Sequence, residues 1–362
     1  MTNEQAMARA IELALRGTGQ VSPNPRVGCV LLKDGRIIGE GWHQKFGAPH
    51  AEREAITNAT EDVAGATAVV TLEPCSHTGK QPSCADLLIE RNISHVIIGM
   101  QDANPLVSGN GIARLRAAGI DVTVGVLGEE CAWLDRTHTK TITTKMPYII
   151  SKTGQSLDGC IASHSLESQW ITSQGSRQVV HALRAEFDAV MIGKTTALVD
   201  NPALTVRHVE GRQPWRIVLD TSLELPPTLQ LFTDEFTTKT IVICGNTAAT
   251  SPNARLLRES GIQVLGCDTD SHGILILRNT FREMLQDYGI ASIMVEGGSQ
   301  LLSSLLQENL IDEYHFFIAP IILGGGKQVF GNFLPTLALA PKLRVVSSEK
   351  CGEDWYVVAV AG

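Results

Sequence analysis

His50, Cys75 and Cys84 offer one imidazole and two thiols, arranged as His50-Ala51-Glu52 and then Pro74-Cys75 with Cys84 nine residues on. One nitrogen and two sulfurs suit a tetrahedral zinc ion and leave its fourth position open, as in a catalytic site. Zinc held in this way brings the pKa of water toward about 7. His50 and Cys84 are both expected at helix starts, where free backbone N–H groups and the helix dipole favour thiolate over thiol. Glu52, two residues beyond His50, is expected to face the activated water without ligating and to pass its proton to a leaving amine. A structural zinc site, or three unrelated core residues, is the competing reading. The upstream Glu52 and the proline before Cys75 favour catalysis.

The elements that must position these groups follow from patterning. Thr2 and Gln5 form a capping box for a first helix with Met7, Ala10, Ile11, Ala14 and Leu15 on one face, ended by Gly17. Asp34-Gly35 between two apolar runs marks a tight hairpin. Strands are expected at 68–72, 95–99 and 121–124, with helices at 85–91 and 112–118, an order that implies a mostly parallel sheet covered by helices. A second α/β series starts near residue 146. Its strands are expected at 148–152, 189–193, 216–220, 240–244 and 292–296, and its helices at 176–185, 253–260 and 278–288. The last three strands, 314–319, 343–348 and 355–359, read as antiparallel. In this second half Glu296-Gly297-Gly298 follows an apolar run and precedes a helical stretch. That is a strand–loop–helix phosphate site in outline, although it is not G-x-G-x-x-G and is weak on its own. Gly324-Gly325-Gly326-Lys327 is a second glycine-rich loop, either a further phosphate contact or a turn.

The whole chain of 362 residues is 43% apolar and 19% charged, which suits about two soluble domains. No run of about 18 uncharged apolar residues exists, so a membrane span is not expected. The opening Met-Thr-Asn-Glu-Gln lacks the basic and apolar stretches of a secretory leader. A net charge of −8 argues against nucleic acid as a partner. Eight cysteines scattered through so long a chain read as reduced thiols in the cytoplasm, some of them metal ligands.

The H-x-E and P-C pair matches the signature of zinc nucleobase deaminases, apart from the wide spacing of its two cysteines. Taken with Pro23-Asn24-Pro25-Arg26-Val27-Gly28, Gly41-Trp42-His43 and Glu73-Pro74-Cys75-Ser76-His77-Thr78-Gly79-Lys80, it resembles the bifunctional deaminase/reductase family of riboflavin biosynthesis, which uses that spacing. Gln81 and Ser83 stand where that family commonly has Thr and Pro, neither of them a ligand position. The resemblance implies hydrolytic removal of the 2-amino group from a diaminopyrimidinone bearing a phosphoribosylamino substituent. It implies substrate contacts at Asn24, His43, His77, Lys80, Asp102 and Asn104; Asn suits a ring edge, Lys and His a sugar phosphate. Taken singly, Asn24 also reads as a turn residue and Asp102 as a loop cap.

The second half is similar to the family's reductase domain along Lys152-Thr153-Gly154-Gln155-Ser156-Leu157-Asp158-Gly159, Glu167-Ser168-Gln169-Trp170, Gly193-Lys194-Thr195-Thr196 and Asp200–Arg207. The implied fold class is α/β throughout: a cytidine-deaminase-like three-layer domain over 1–146, then a dihydrofolate-reductase-like α/β domain over 147–362. The implied cofactors are zinc and NADPH, with reduction of the ribose to a ribityl chain by hydride delivery to C1′. Substrate contacts are implied at Lys152, Ser168, Arg184, Leu204, Arg207 and Glu296, and cofactor contacts at Gly154, Trp170, Thr196, Asp200, Thr221 and Gly298. Trp170 also reads as a core aromatic and Arg184 as a surface ion pair. Leu166 stands where a glycine is common and Asn201 where a second Asp is frequent. The implied partner is a small phosphoribosylated pyrimidine, with no nucleic acid and no membrane; a homo-oligomer is compatible with the sequence but not fixed by it. A nucleotide or tRNA deaminase with a non-catalytic accessory domain is the rival reading, opposed by the anionic composition and the whole second half. A binding module that keeps these folds without catalysis is a further rival, opposed in the first half by the intact His50, Glu52, Cys75 and Cys84.

Overall fold

The computed structural model describes residues 1–76, 83–104, 108–331 and 336–362. The chain divides into two compact units, Met1–Met146 and Pro147–Gly362. The first contains α1 (Asn3–Leu15), β1 (Gly28–Lys33), β2 (Arg36–Trp42), α2 (Ala51–Thr57), β3 (Thr67–Leu72), α3 (Cys84–Glu90), β4 (His95–Met100), α4 (Asn110–Ala117), β5 (Asp121–Val124), α5 (Gly128–Leu134) and α6 (Arg136–Thr144). Both halves of the Thr2–Gln5 capping box are formed. The buried stripe of α1 is Ala6, Met7, Ala10, Leu13 and Ala14; Leu15 faces solvent, one step too far round the helix to reach the sheet. Asp34 and Gly35 have φ of 50° and 73°, the left-handed pair that a two-residue hairpin requires.

The strands run in the order β2-β1-β3-β4-β5. β3, β4 and β5 are parallel, whereas the hairpin makes β1 antiparallel to both of its neighbours, so the sheet is less parallel than the patterning suggested. Alternate residues serve two apolar layers. Cys29, Leu31, Val70 and Ile98 pack under Ala51, Ala55, Leu88 and Leu115 of α2, α3 and α4. Val30, Val69 and Ile97 pack under Met7, Leu13 and Cys131 of α1 and α5. This is a three-layer helix–sheet–helix unit.

The second unit contains β6 (Tyr148–Ser156), β7 (Cys160–Ala162), α7 (Gln174–Glu186), β8 (Ala189–Gly193), α8 (Lys194–Asp200), β9 (Trp215–Leu219), α9 (Gln230–Thr233), β10 (Thr240–Gly245), α10 (Pro252–Glu259), β11 (Gln263–Cys267), α11 (Leu277–Tyr288), β12 (Ser292–Val295), α12 (Ser299–Gln307), β13 (Glu313–Ala319), β14 (Lys327–Gln328), β15 (Leu343–Cys351) and β16 (Asp354–Ala361). Nine strands form one sheet, ordered β11-β10-β9-β8-β12-β6-β13-β16-β15. β13 is antiparallel to β16, as its grouping with the C-terminal strands implies, but runs parallel to β6 on its other side. β6 is longer than its apolar start suggests because its polar half, Thr153–Ser156, stays paired to β13. β11 has no counterpart among the strands expected from patterning; Gln263-Val264-Leu265-Gly266-Cys267 is short and contains a glycine. No helix among the described residues is long and apolar enough to cross a membrane.

Candidate active sites

In the first unit, His50 is the N-cap of α2, and no side-chain capping bond occupies its imidazole. Cys84 is the first residue of α3, whose N-cap Ser83 accepts from the Asp86 N–H. Cys75 lies just beyond the end of β3. α2 can lie against β2 only because of two glycines: a Cβ on Gly39 would fall 2.4 Å from the Ala55 carbonyl oxygen, and one on Gly41 2.3 Å from the Ala55 nitrogen. These approaches bring the three ligand atoms within 4.8 Å of one another. His50 Nδ1 is 3.7 Å from Cys75 Sγ and 3.3 Å from Cys84 Sγ. Zinc at about 2.3 Å from sulfur and 2.0–2.1 Å from nitrogen, at tetrahedral angles, spaces such atoms by roughly 3.6 Å. The donor set therefore fits zinc in both chemistry and spacing.

The free N–H at the start of α3 acts on a different sulfur from the one expected. Cys84 N donates to Cys75 Sγ at 3.2 Å, so the helix start stabilises thiolate on Cys75. Cys75 is held well below the usual thiol range chiefly by Cys84, and Cys84 is pushed up by Cys75 and by burial. Glu52 is 3% exposed beside them, and burial first, then Cys75, raises its carboxyl above the ordinary range. A carboxyl so placed holds and releases a proton near neutrality more readily than an exposed one.

Asn24 is more than a turn residue: its Nδ2 lies 3.1 Å from His43 Nε2. His43 Nδ1 lies 3.0 Å from the Pro49 carbonyl, which makes Nδ1 the donor and Nε2 the acceptor. Buried at 3% exposure and with its pKa lowered by burial, His43 has both ring nitrogens occupied. It braces Asn24 and the residue before His50 rather than offering a charge to a phosphate. Asp102 and Asn104 lie beyond β4, where Asp102 Oδ1 accepts from Asn104 N at 2.8 Å. His77 and Lys80 lie outside the described residues.

In the second unit a cavity of about 810 Å³ opens beside β6, β8, α7, α8 and the Glu296-Gly297-Gly298 turn. Lys152, Gly154, Ser168, Trp170, Arg184, Thr196, Asp200, Leu204, Arg207, Glu296 and Gly298 all line it. Thr221 does not; it follows β9, where its carbonyl accepts from Gly245 N. Glu296 is the hub. Arg184 grips it through Nε at 2.5 Å and Nη2 at 2.9 Å, and Lys152 Nζ lies 2.9 Å away. Burial alone would push this carboxyl up, but Arg184 and Lys152 more than reverse that and hold it below the usual range. Arg184 spends its remaining Nη1 on the Thr205 carbonyl. It is a buried ion-pair partner, not the surface pair of its alternative reading. Arg207 is exposed to the cavity, with Nη1 on Thr205 Oγ1 at 3.1 Å. Gly298 is the N-cap of α12, and no side chain caps that helix start. Gly154 accepts no side chain without crowding, since a Cβ there would lie 3.2 Å from Thr172 Cγ2. An uncapped helix start over a glycine-lined wall suits the phosphates of a dinucleotide. Trp170 is 70% exposed, with the Arg177 guanidinium 4.6 Å from its ring, so it is not a core aromatic.

Sequence reasoning missed His181. Its Nδ1 accepts from Arg207 N at 3.2 Å, and burial, followed by Arg184, pushes its pKa down to about 4. A histidine on an amphipathic helix carries no mark that distinguishes it from a surface residue. The glycine loop before Lys327 is already engaged, because Leu323 and Gly324 donate their N–H groups to Asp158.

The two departures of the second unit from the family pattern fall at left-handed backbone positions. Leu166 has φ of 67°, and Asn201, at the end of α8, has φ of 40°. Asn tolerates the left-handed region, and Asn201 Oδ1 also accepts from Gln230 N at 2.8 Å. Leu does not, at about 1–2 kcal/mol, against about 0.5–1 kcal/mol for the extra freedom of glycine in the unfolded chain. Leu166→Gly should therefore raise stability by up to about 1 kcal/mol, read as a higher urea midpoint at unchanged slope.

A three-layer unit with a His–Cys–Cys donor set and buried glutamate, followed by an α/β unit with a glycine-rich, ion-paired cavity, defines a two-part deaminase–reductase. Residues 1–100 match the cytidine and deoxycytidylate deaminase zinc-binding region, and residues 147–357 match the RibD C-terminal domain. The chain is 41% identical to the riboflavin biosynthesis protein RibD of Actinobacillus pleuropneumoniae, over 98% of this chain and 94% of that one. It is 40% identical to RibD of Escherichia coli, over 98% of both. The fold is similar to that of Acinetobacter baumannii RibD, with a TM-score of 0.88 at 35% identity, covering 99% of each chain. It is equally similar, at 40% identity and a TM-score of 0.88 with the same coverage, to a Thermotoga maritima diaminohydroxyphosphoribosylaminopyrimidine deaminase/5-amino-6-(5-phosphoribosylamino)uracil reductase. The chain belongs to the RibD family, the bifunctional deaminase/reductases of riboflavin biosynthesis.

Proposed function

We propose that residues 1–146 remove the 2-amino group of 2,5-diamino-6-(5-phosphoribosylamino)pyrimidin-4-one, and that residues 147–362 then reduce its ribose with NADPH. The observation that carries the first part is a buried glutamate beside three zinc donors at tetrahedral spacing. His50, Cys75 and Cys84 hold the zinc, which supplies Lewis acidity that activates water near neutral pH. Glu52 takes the proton from the attacking water and delivers it to the departing amine. Asn24, held by His43, presents a fixed amide to the pyrimidine edge, and Asp102 and Asn104 flank it.

In the reductase part Gly154, Trp170, Thr196, Asp200 and Gly298 would hold NADPH, which would supply a hydride there. Lys152 and Glu296 face the ribose, and Arg184 fixes Glu296 in place. Leu204 packs on the substrate, and Ser168 and Arg207 receive its 5′-phosphate. Arg207 is suited to this because it faces the cavity and its guanidinium bonds a hydroxyl, that of Thr205. Arg207→Ala should raise the KM for the deaminated substrate at least about 30-fold, the equivalent of about 2 kcal/mol, with melting temperature unchanged. Equal weakening of NADPH binding would place Arg207 on the cofactor instead.

The whole assignment is tested by incubating the full chain with the diaminopyrimidine substrate. Without nicotinamide the deaminated phosphoribosyl product should accumulate; with NADPH the ribityl product should replace it; a chelator should stop the first step. Reduction of ribose in substrate that keeps its 2-amino group, at an undiminished rate, would overturn the proposed order.

A further inference from the structure

We infer that Glu73 is a positioning residue of the deaminase, clamping the segment that carries Asp102 and Asn104 to the segment that carries the metal ligand Cys75. Glu73 follows β3, two residues before Cys75, and is only 5% exposed. Its Oε2 accepts from Asp102 N at 3.2 Å and from Gly109 N at 2.9 Å. Its Oε1 accepts from Gly111 N at 2.9 Å and from Ile112 N at 3.2 Å. One carboxylate thus satisfies four backbone N–H groups, all of them on segments that carry no metal ligand.

The approach is specified by two glycines. Gly109 has φ of 80°, and a Cβ on Gly111 would lie 2.0 Å from the Pro74 carbonyl oxygen. These glycines let the start of α4 come down onto the Pro74–Cys75 peptide. Asp102 is tied twice, by its own N–H to Glu73 and by its Oδ1 to Asn104 N, so the carboxylate sets the backbone from which both side chains project.

The ligand side is held by other bonds. Glu73 N donates to the Met100 carbonyl at 3.0 Å, Ala85 N to the Cys75 carbonyl at 3.1 Å, and Cys84 N to Cys75 Sγ at 3.2 Å. Loss of the Glu73 carboxylate therefore releases the Asp102 segment while leaving the donor set in place. Gln at this position presents an NH2 to two of the four donors, which makes it a severe change despite its shape.

The inference rests on the reading of Asp102 and Asn104 as substrate contacts. Its test measures zinc per chain, melting temperature, and kcat and KM for deamination in Glu73→Gln, Asp102→Ala, Asn104→Ala and the Glu73→Gln/Asp102→Ala double variant. Glu73→Gln should keep one zinc per chain and raise KM about tenfold, with kcat within about twofold. The double variant should be little worse than the poorer single one, because both act through one contact. A lower melting temperature or lost zinc with unchanged KM, or fully additive effects, would overturn the inference and leave Glu73 a structural helix cap. If Asp102→Ala and Asn104→Ala both leave KM unchanged, the reading beneath it fails, an outcome told apart because it does not involve Glu73. Should Glu73→Gln not fold, Glu73→Asp keeps the charge but draws it back from Gly111 and Ile112, and is judged by the same split.

Discussion

Glu52→Gln should leave zinc stoichiometric and cost about 10²- to 10⁴-fold in deaminase kcat, the usual worth of a positioned proton carrier. Glutamine preserves the shape of a side chain that is 3% exposed among Cys75, Cys84 and His50, so packing and ligand spacing should survive. What is removed is the carboxyl whose pKa burial raises. Reduction of deaminated substrate supplied from outside should continue at the normal rate. Cys84→Ser is the matching control: it exchanges a thiolate for a hydroxyl and should strip most of the metal. Full deamination by Glu52→Gln, with zinc bound, would remove Glu52 from the mechanism.

Glu296→Ala should destabilise the protein by about 3–5 kcal/mol, because Arg184 and Lys152 would be left as charges without their shared partner. Arg184 is 9% exposed, which leaves it little recourse to water. Reductase activity should vanish together with this stability, while deamination serves as the internal standard. The pH dependence has a definite sign. Glu296 is held below the ordinary carboxylate range in the folded chain, so its contribution is complete above the unfolded value of about 4.3. It is lost as pH falls from there through the folded value, where protonation releases both cations. Acid unfolding monitored between about pH 5 and pH 2 should be steeper for the parent protein than for Glu296→Ala. Equal slopes would show that Glu296 carries no native-state charge.

The parts of this protein that were legible in its residues are local. The capping box at Thr2, the hairpin at Asp34-Gly35 and the helix start at Cys84 each announce themselves within four residues, because each depends on backbone chemistry next to the signal. The zinc donors were legible on different grounds: soft ligands are rare, and an imidazole with two thiols and a neighbouring glutamate has few uses besides holding a metal. Much of what stayed hidden depends on distant partners. Arg184 and Glu296 lie 112 positions apart, so nothing near Arg184 shows that it is a buried strut rather than a surface charge. Arg216 was hidden by its setting rather than by distance, its partners lying within 24 positions. In a strand of otherwise apolar residues it is 1% exposed and saturated by Asp234, Thr240 and two carbonyls. The glycine expected at 166 was legible as an absence, and its meaning came only with the positive φ of Leu166.

The placement of β6 in the nine-stranded sheet governs the order in which the second unit can be completed during synthesis. β6 is the first strand of that unit to be made, yet it lies between β12 and β13, two of the last. Tyr148 and Glu313, whose side chains bond across this part of the sheet, are 165 positions apart. At roughly 5–20 residues per second the ribosome takes about 10–30 s to span that distance. Until β12 emerges, late in that interval, a nascent chain carries the apolar start of β6 with both strand edges unpaired, the feature that invites intermolecular pairing. Every ligand of the zinc site has by then been translated. In a cell short of chaperones, the reductase half is where yield would be lost.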